Sequence, residues 1–206
     1  MCSPKIESSN GYEKIEVYDE FATSELSKNY ASILKLIGED PNREGLDKTP
    51  ERVAKAMQFL LQGYKTDPVE ILQSAMFKED YRQMVIVKDI EIYSMCEHHL
   101  LPFFGKAHVA YVSSGQVIGL SKINRIVDYF ARRPQVQERL TVQIAAELKR
   151  ILKTEDVAVV IDAKHLCVSS RGIQDEGSST ITAEYGGIFK EQLRKEEFLK
   201  YLSLNV

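Results

Sequence analysis

From Met84 to Ser94 the chain reads MVIVKDIEIYS. Val and Ile crowd this stretch at short spacing, which predicts a β-strand. Upstream the apolar period is different. Leu26, Tyr30, Ile33, Leu34 and Ile37 recur at helical spacing, with Thr23 or Ser24 as cap and Gly38 as stop. Thr49-Pro50-Glu51-Arg52 opens a second helix: threonine caps, proline takes the first helical position and Glu51 suits the positive end. Val53, Met57, Leu60, Leu61 and Tyr64 continue its apolar face, and Gly63 and Asp67-Pro68 close it.

Downstream the strand period returns. Lys106 to Val112 is a predicted strand, Ser113-Ser114-Gly115 a turn, and Gln116 to Leu120 the return strand. Ser121 is the expected cap of a short helix carrying Ile123, Ile126, Val127 and Phe130. Pro134 ends it and opens a longer helix with Leu140, Ile144, Leu148 and Ile151 on one side. Val157 to Ser170 and Ser178 to Glu184 are predicted strands, and Gly186-Gly187 leads into a last helix ending near Leu202. This order predicts an α+β fold, a mainly antiparallel sheet backed by helices and preceded by N-terminal helices. The expected organisation is a polar, mobile arm over 1–20, a helical region over 21–80 and a folded domain over 81–206.

Composition narrows the function. The 206 residues carry 27 Lys plus Arg against 30 Asp plus Glu, a net charge of −3. With 44% hydrophobic and 28% charged residues, wholesale disorder is excluded. The slight acidity argues against non-specific nucleic-acid binding. No apolar run approaches the roughly 20 residues of a membrane span, and Met1 to Asn10 shows no signal-peptide pattern. An odd, small cysteine count points to a reducing compartment, so a cytoplasmic protein is expected.

The scarce residues cluster. Of 3 Cys and 4 His, most fall in Cys96-Glu97-His98-His99 and His165-Leu166-Cys167. Cys96 and His99 are three apart, close enough to reach one ion across a tight turn. Cys167 is the candidate third ligand, since period two along the predicted strand puts His165, Cys167 and Ser169 on one face. Two thiolates and an imidazole suit zinc, and three protein ligands leave a position for water. Cys2 is the alternative that would close the site as a structural one. A buried thiol and a core histidine are the plain alternative for an isolated C-x-x-H. His98 and His165 remain as imidazoles able to move protons near neutral pH. Glu97 either orients one of them or is a solvated carboxylate. His108, mid-strand, reads as structural.

Gly119 to Arg125 lies at a strand-to-helix junction, where free N–H groups and the helix end face an anion. Lys122 and Arg125 add two cations there, unless they form an ordinary solvated helix face. Arg171 follows the ligand strand. Arg52 opposes the dipole at its helix start, which hints at a role elsewhere. Arg132-Arg133 reads as surface. Gln137 and Glu138 open the long helix; a carboxylate beside an amide can read a purine edge, or simply complement the dipole.

Taken together, Cys96 to His99, Gly119 to Asp128 (GLSKINRIVD), Arg133 to Thr141 (RPQVQERLT) and His165 to Gln174 (HLCVSSRGIQ), with Thr49 to Ala54, resemble GTP cyclohydrolase I, the first enzyme of folate and pterin synthesis. The resemblance implies a tunnelling fold (T-fold) over 81–206 and a toroidal homodecamer with active sites at subunit interfaces. It implies Cys96, His99 and Cys167 as zinc ligands. Water activated by the metal would attack C8 of the guanine of GTP. His98 and His165 would assist the water and protonate the ring, and a second hydrolysis would release formate. Ser121 would meet the ribose hydroxyls during an Amadori-type rearrangement. Gln137 and Glu138 would read guanine. Lys122, Arg125, Arg171 and Arg52 would hold the triphosphate, some from a neighbouring subunit. The implied product is 7,8-dihydroneopterin triphosphate. No nucleic-acid or membrane partner is expected.

Three other readings compete: a T-fold binding protein with a structural zinc, a nitrile-reductase relative using a cysteine nucleophile and a nicotinamide cofactor, and a cyclohydrolase that stops at a different product. His98 and His165 count against the first, since a structural site has no use for them.

Overall fold

The chain divides into two units, residues 1–60 and 61–206, in a computed structural model that describes residues 5–9, 12–16, 18–65 and 76–204. Cys2, Asp67 and Pro68 lie outside the described residues.

In the first unit Lys5–Ser9 (β1) and Tyr12–Glu16 (β2) pair antiparallel within the span read as a polar arm. Helix α1, Glu20–Leu36, begins earlier than expected. Its cap is Asp19, whose side chain accepts from the Ala22 N–H at 2.8 Å. An aspartate there both fills an open donor and meets the positive helix end. Thr23 instead donates its hydroxyl to the Asp19 carbonyl at 2.7 Å. Gly38, at φ +91°, ends the helix as its sequence predicts. Helix α2, Thr49–Leu60, is tied to the start of α1 by Gln58, which donates to Thr23 Oγ1 at 2.7 Å and accepts from the Asp19 N–H at 2.9 Å.

The second unit is built on a five-stranded sheet of order β7-β4-β5-β8-β9. Its strands are Met84–Cys96 (β4), Pro102–Val112 (β5), Pro134–Gln135 (β7), Val157–His165 (β8) and Thr180–Tyr185 (β9). All neighbours run antiparallel except the short β4–β7 pair. The segment Gln116–Ile118 (β6) does not return onto β5. Both edges of β5 are taken, by β4 and β8, so β6 pairs instead with Met76–Lys78 (β3), and Ser113 Oγ donates to the Gln116 carbonyl at 2.7 Å across the turn.

Two helices cover one face: α3, Leu120–Ala131, and α4, Gln137–Leu152. Period-two alternation turns Phe103, Ala107 and Val109 of β5 and Val159 and Ile161 of β8 toward them, all fully buried. Ile123, Ile126 and Val127 of α3 and Leu140, Ile144 and Leu148 of α4 complete this core. In β4 the register shifts between Val87 and Ile90, with Asp89 at φ 60°, so Val85 and Ile92 both contribute despite their odd separation. On the opposite face Phe189 and Phe198, the latter from Gln192–Leu202 (α6), bury Ala110, Ala158 and Val160.

Two expectations are corrected here. The helix α3 is capped by Gly119, not Ser121, with the Lys122 N–H bonding the Gly119 carbonyl at 2.8 Å. Arg133 is half-buried and not a freely solvated surface residue. It donates from Nε and Nη2 to the Gly63 carbonyl at 3.0 and 2.9 Å and lies 4.1 Å over the Tyr129 ring. A guanidinium is planar and weakly hydrated, so an aromatic cradle accepts it where a lysine would stay in water.

The sheet's antiparallel order decides where the chemistry gathers. β4 ends at Cys96, β8 ends at His165, and β5 begins at Pro102 between them. Phe103 sits opposite His165, and Met95 opposite Pro102. Gly105 makes the β5–β8 approach possible: a Cβ there would lie 2.0 Å from the Asp162 carbonyl oxygen.

Candidate metal centre

The turn from Cys96 to Leu101 is fixed by its own backbone. Cys96 N–H bonds the Leu101 carbonyl and Leu100 N–H bonds the Cys96 carbonyl, each at 2.8 Å. Leu100 adopts φ 51° to make the reversal. Glu97 N–H bonds the Gln135 carbonyl at 3.0 Å, which pins the turn to β7. The ligand strand read from Val157 to Ser170 is shorter than expected. It stops at His165, and Leu166–Ser169 is one helical turn (α5). Ser170 N–H to the Leu166 carbonyl at 2.9 Å closes that turn. Cys167 is therefore delivered by a helical turn and not by strand alternation.

The two turns meet. Among the described residues, ligand atoms of Cys96, His99 and Cys167 lie within 4.8 Å of one another. Cys96 Sγ is 3.8 Å from Nδ1 of His99 and equally 3.8 Å from Nδ1 of His98. Burial pushes the Cys167 thiol up, and the neighbouring Cys96 pushes it further. Two thiols and an imidazole in a half-buried pocket are a soft donor set for a divalent cation, which would offset the cost at Cys167 by stabilising its thiolate. The residues present fit a zinc-type ion.

His165 stands beside this centre in a fixed orientation. Its ring stacks on Phe103, centroids 4.6 Å apart and planes 8° apart. Its Nε2 lies 2.7 Å from Gln137 Oε1. The orientation of the Gln137 amide is set independently, because Gln137 Nε2 donates toward the carbonyls of Ile161 (3.1 Å) and Thr180 (2.8 Å) and toward Thr182 Oγ1 (3.1 Å). Oε1 can only accept, so His165 Nε2 carries the proton and its Nδ1 is the open lone pair. Burial holds the His165 pKa below its ordinary value, and the Glu138 carboxylate opposes that shift.

Glu97 is not simply solvated. Arg139 of α4 grips it with two bonds, Nη1 to Oε2 at 2.5 Å and Nη2 to Oε1 at 2.9 Å. These bonds hold the Glu97 carboxyl below the usual carboxylate range. Glu97 Oε1 also lies 4.0 Å from His98 Nε2.

The structure thus brings together Cys96, His98, His99, Cys167, His165 and Gln137, with Glu138 next to Gln137 on α4. Arg171 follows α5 closely enough for its charge to act on Cys167. Ser121, Lys122 and Arg125 lie at the start of α3, with Ser121 and Arg125 on its exposed side. Arg52 is an exposed residue of α2 in the first unit. Sequence reasoning missed Arg139 and Phe103. Arg139 lies inside a quoted motif but 42 residues from Glu97, and no local pattern signals that pairing. Phe103 is found only by extending the β5 alternation back to Pro102.

The family model described as GTP cyclohydrolase I matches residues 26–203. Relatives named GTP cyclohydrolase 1 include one from Porphyromonas gingivalis, 56% identical over 187 residues, 91% of this chain and 97% of the relative. One from Parabacteroides distasonis is 54% identical over 185 residues, 89% of this chain and 94% of the relative. One from Chlorobaculum tepidum is 52% identical over 185 residues, 89% of this chain and 83% of the relative.

Proposed function

The chain belongs to the GTP cyclohydrolase I family and shares its T-fold, and we propose that it opens the imidazole ring of GTP, releases formate and closes the product to 7,8-dihydroneopterin triphosphate. This hydrolase reaction is the first step of tetrahydrofolate and pterin biosynthesis. The observation that carries the reading is the convergence of Cys96, His99 and Cys167 beside a His165 whose tautomer is fixed by Gln137.

Cys96, His99 and Cys167 would hold zinc. When bound, the ion supplies Lewis acidity that makes hydroxide available near neutral pH for attack on C8 of the guanine. His165 offers an unprotonated Nδ1, and its lowered pKa keeps that lone pair free to take a proton from the attacking water. His98, with 63% of its side chain exposed, donates to the ring nitrogen that leaves. Gln137 already uses both ends of its amide, so its part is to hold His165 against the base. Guanine selection then falls on Glu138, whose carboxylate accepts from the base N–H edge and would be left unpaired by adenine.

Ser121 receives the ribose hydroxyls. Lys122, Arg125, Arg171 and Arg52 receive the triphosphate, some from a neighbouring subunit. We accordingly propose a homodecamer with interfacial sites, acting in the cytoplasm. No helix among the described residues is long and apolar enough to cross a membrane.

The test is GTP turnover by metal-loaded protein with and without a chelator. Formate release and pterin fluorescence after oxidation, both abolished by the chelator, are the expected result. Formate without pterin would mark an enzyme that stops at ring opening.

A further inference from the structure

Two consecutive imidazoles reach the metal centre equally well by one measure. His98 Nδ1 and His99 Nδ1 are each 3.8 Å from Cys96 Sγ. If both bound, the donor set would be two thiolates and two imidazoles, a closed tetrahedral site of the structural kind with no position left for water. Only His99 completes the set with Cys167. Some feature of the fold must therefore hold His98 aside.

Beside His98 lies a carboxylate anchored from another element. Glu97 Oε1 faces His98 Nε2 at 4.0 Å. A lone glutamate on a turn would sample many rotamers. This one is held by the two-bond fork from Arg139, and its backbone N–H is held by Gln135. A planar guanidinium fixes both the distance and the plane of the carboxylate it grips. Arg139 sits two residues after Gln137, so one helix end positions both imidazoles outside the metal's donor set: His165 through Gln137 and His98 through Arg139 and Glu97.

We infer that the Glu97–Arg139 pair selects the metal ligand, keeping His98 out of the coordination sphere so that His99 alone joins the two cysteines. The inference rests on the metal-dependent reading given above. Both are positioning residues in this role, acting through His98. The usual function of a residue outside the ligand set is to support a ligand, and its loss weakens metal binding about 10–100-fold. Selection against a competing ligand has the opposite sign. Without the tether, His98 becomes a fourth protein ligand, metal is held more tightly and turnover falls.

The experiment measures the rate at which a chelator removes zinc, the visible spectrum of the cobalt(II)-substituted protein, and formate release from GTP, for wild type, Glu97→Gln, Arg139→Gln, His98→Ala and the double variant Glu97→Gln/His98→Ala. Glu97→Gln keeps side-chain shape on an accessible turn, and circular dichroism checks the fold of each protein. The expected result is zinc removal slowed about tenfold in Glu97→Gln and in Arg139→Gln, with an altered cobalt spectrum and reduced formate. Adding His98→Ala to Glu97→Gln returns both removal rate and spectrum to those of wild type, whereas His98→Ala alone leaves them unchanged. Unchanged or faster zinc removal in Glu97→Gln, or slowing that persists in the double variant, overturns the inference. Wild type that binds no metal or releases no formate would instead overturn the functional reading beneath it.

Discussion

Phe103 lies flat beneath His165, across the β5–β8 pair, with 4.6 Å between ring centroids. Phe103 is fully buried, so the imidazole proposed as the base rests on a wall that belongs to the core. Phe103→Leu should keep the fold but loosen the ring, lowering kcat about tenfold with little change in KM. Phe103→Ala should cost about 3–5 kcal/mol of stability. Urea unfolding and steady-state kinetics on the two variants check both statements.

Gln137→Glu tests the amide that fixes His165. A carboxylate still accepts from Nε2 but cannot donate to the Ile161 and Thr180 carbonyls. Removing the donor from the buried Ile161 carbonyl should cost on the order of 1–3 kcal/mol, whereas the carbonyl of the exposed Thr180 can turn to water. The added negative charge also favours imidazolium, so the acid limb of the pH–rate profile should move to higher pH. An unmoved acid limb with intact fold would show that His165 is not the base.

The ligand assignment separates three substitutions. Cys167→Ser should lose metal and turnover together. His98→Ala should retain metal and lose about a hundredfold or more in turnover, as expected for a lost proton donor. Glu138→Gln should raise KM for GTP with metal content intact. Metal analysis beside kinetics distinguishes them, and equal metal loss from Cys167→Ser and His98→Ala would refute the assignment.

His108 provides a pH prediction away from the metal. Its Nδ1 accepts from the Asp89 N–H at 3.1 Å, and burial pushes its pKa below the ordinary value near 6.5. The unfolded chain therefore takes up a proton first as pH falls. Stability should decline below about pH 6.5 and stop declining, for this group, once pH passes the folded value. His108→Gln should flatten part of that slope in urea midpoints measured between pH 7.5 and 5.5. An identical slope in the variant would remove His108 as its source.

Much of this was legible in the chain. Period-two and helical patterns identify four of the five sheet strands and both covering helices, because each buries one face; the two-residue β7 at Pro134–Gln135 reads in the sequence as the start of the long helix. Cys96, His99 and Cys167 stand out because sulfur and imidazole are scarce here and cluster. What the pattern misplaces are ends. The strand before Cys167 stops at His165 because backbone bonding from Ser170 to Leu166 curls the chain, and apolar residues in a four-residue turn look the same as strand alternation. The pairing of β6 with β3, the grip of Arg139 on Glu97 and the bonding of Arg133 to the Gly63 carbonyl are long-range. Each depends on two segments whose meeting no local period records.

The proposed metal ligands come from the end of β4 and the turn after it and from α5, just past the end of β8, with β5 paired between the two strands. At roughly 5–20 residues per second of synthesis, Cys167 emerges seconds after Cys96 and His99, and a nascent chain presents only two of the three donors. Metal capture has to wait for the three-strand register to close, which is a slow, non-local event. A loaded ion would therefore certify a finished sheet, and metallation would lag translation instead of guiding it.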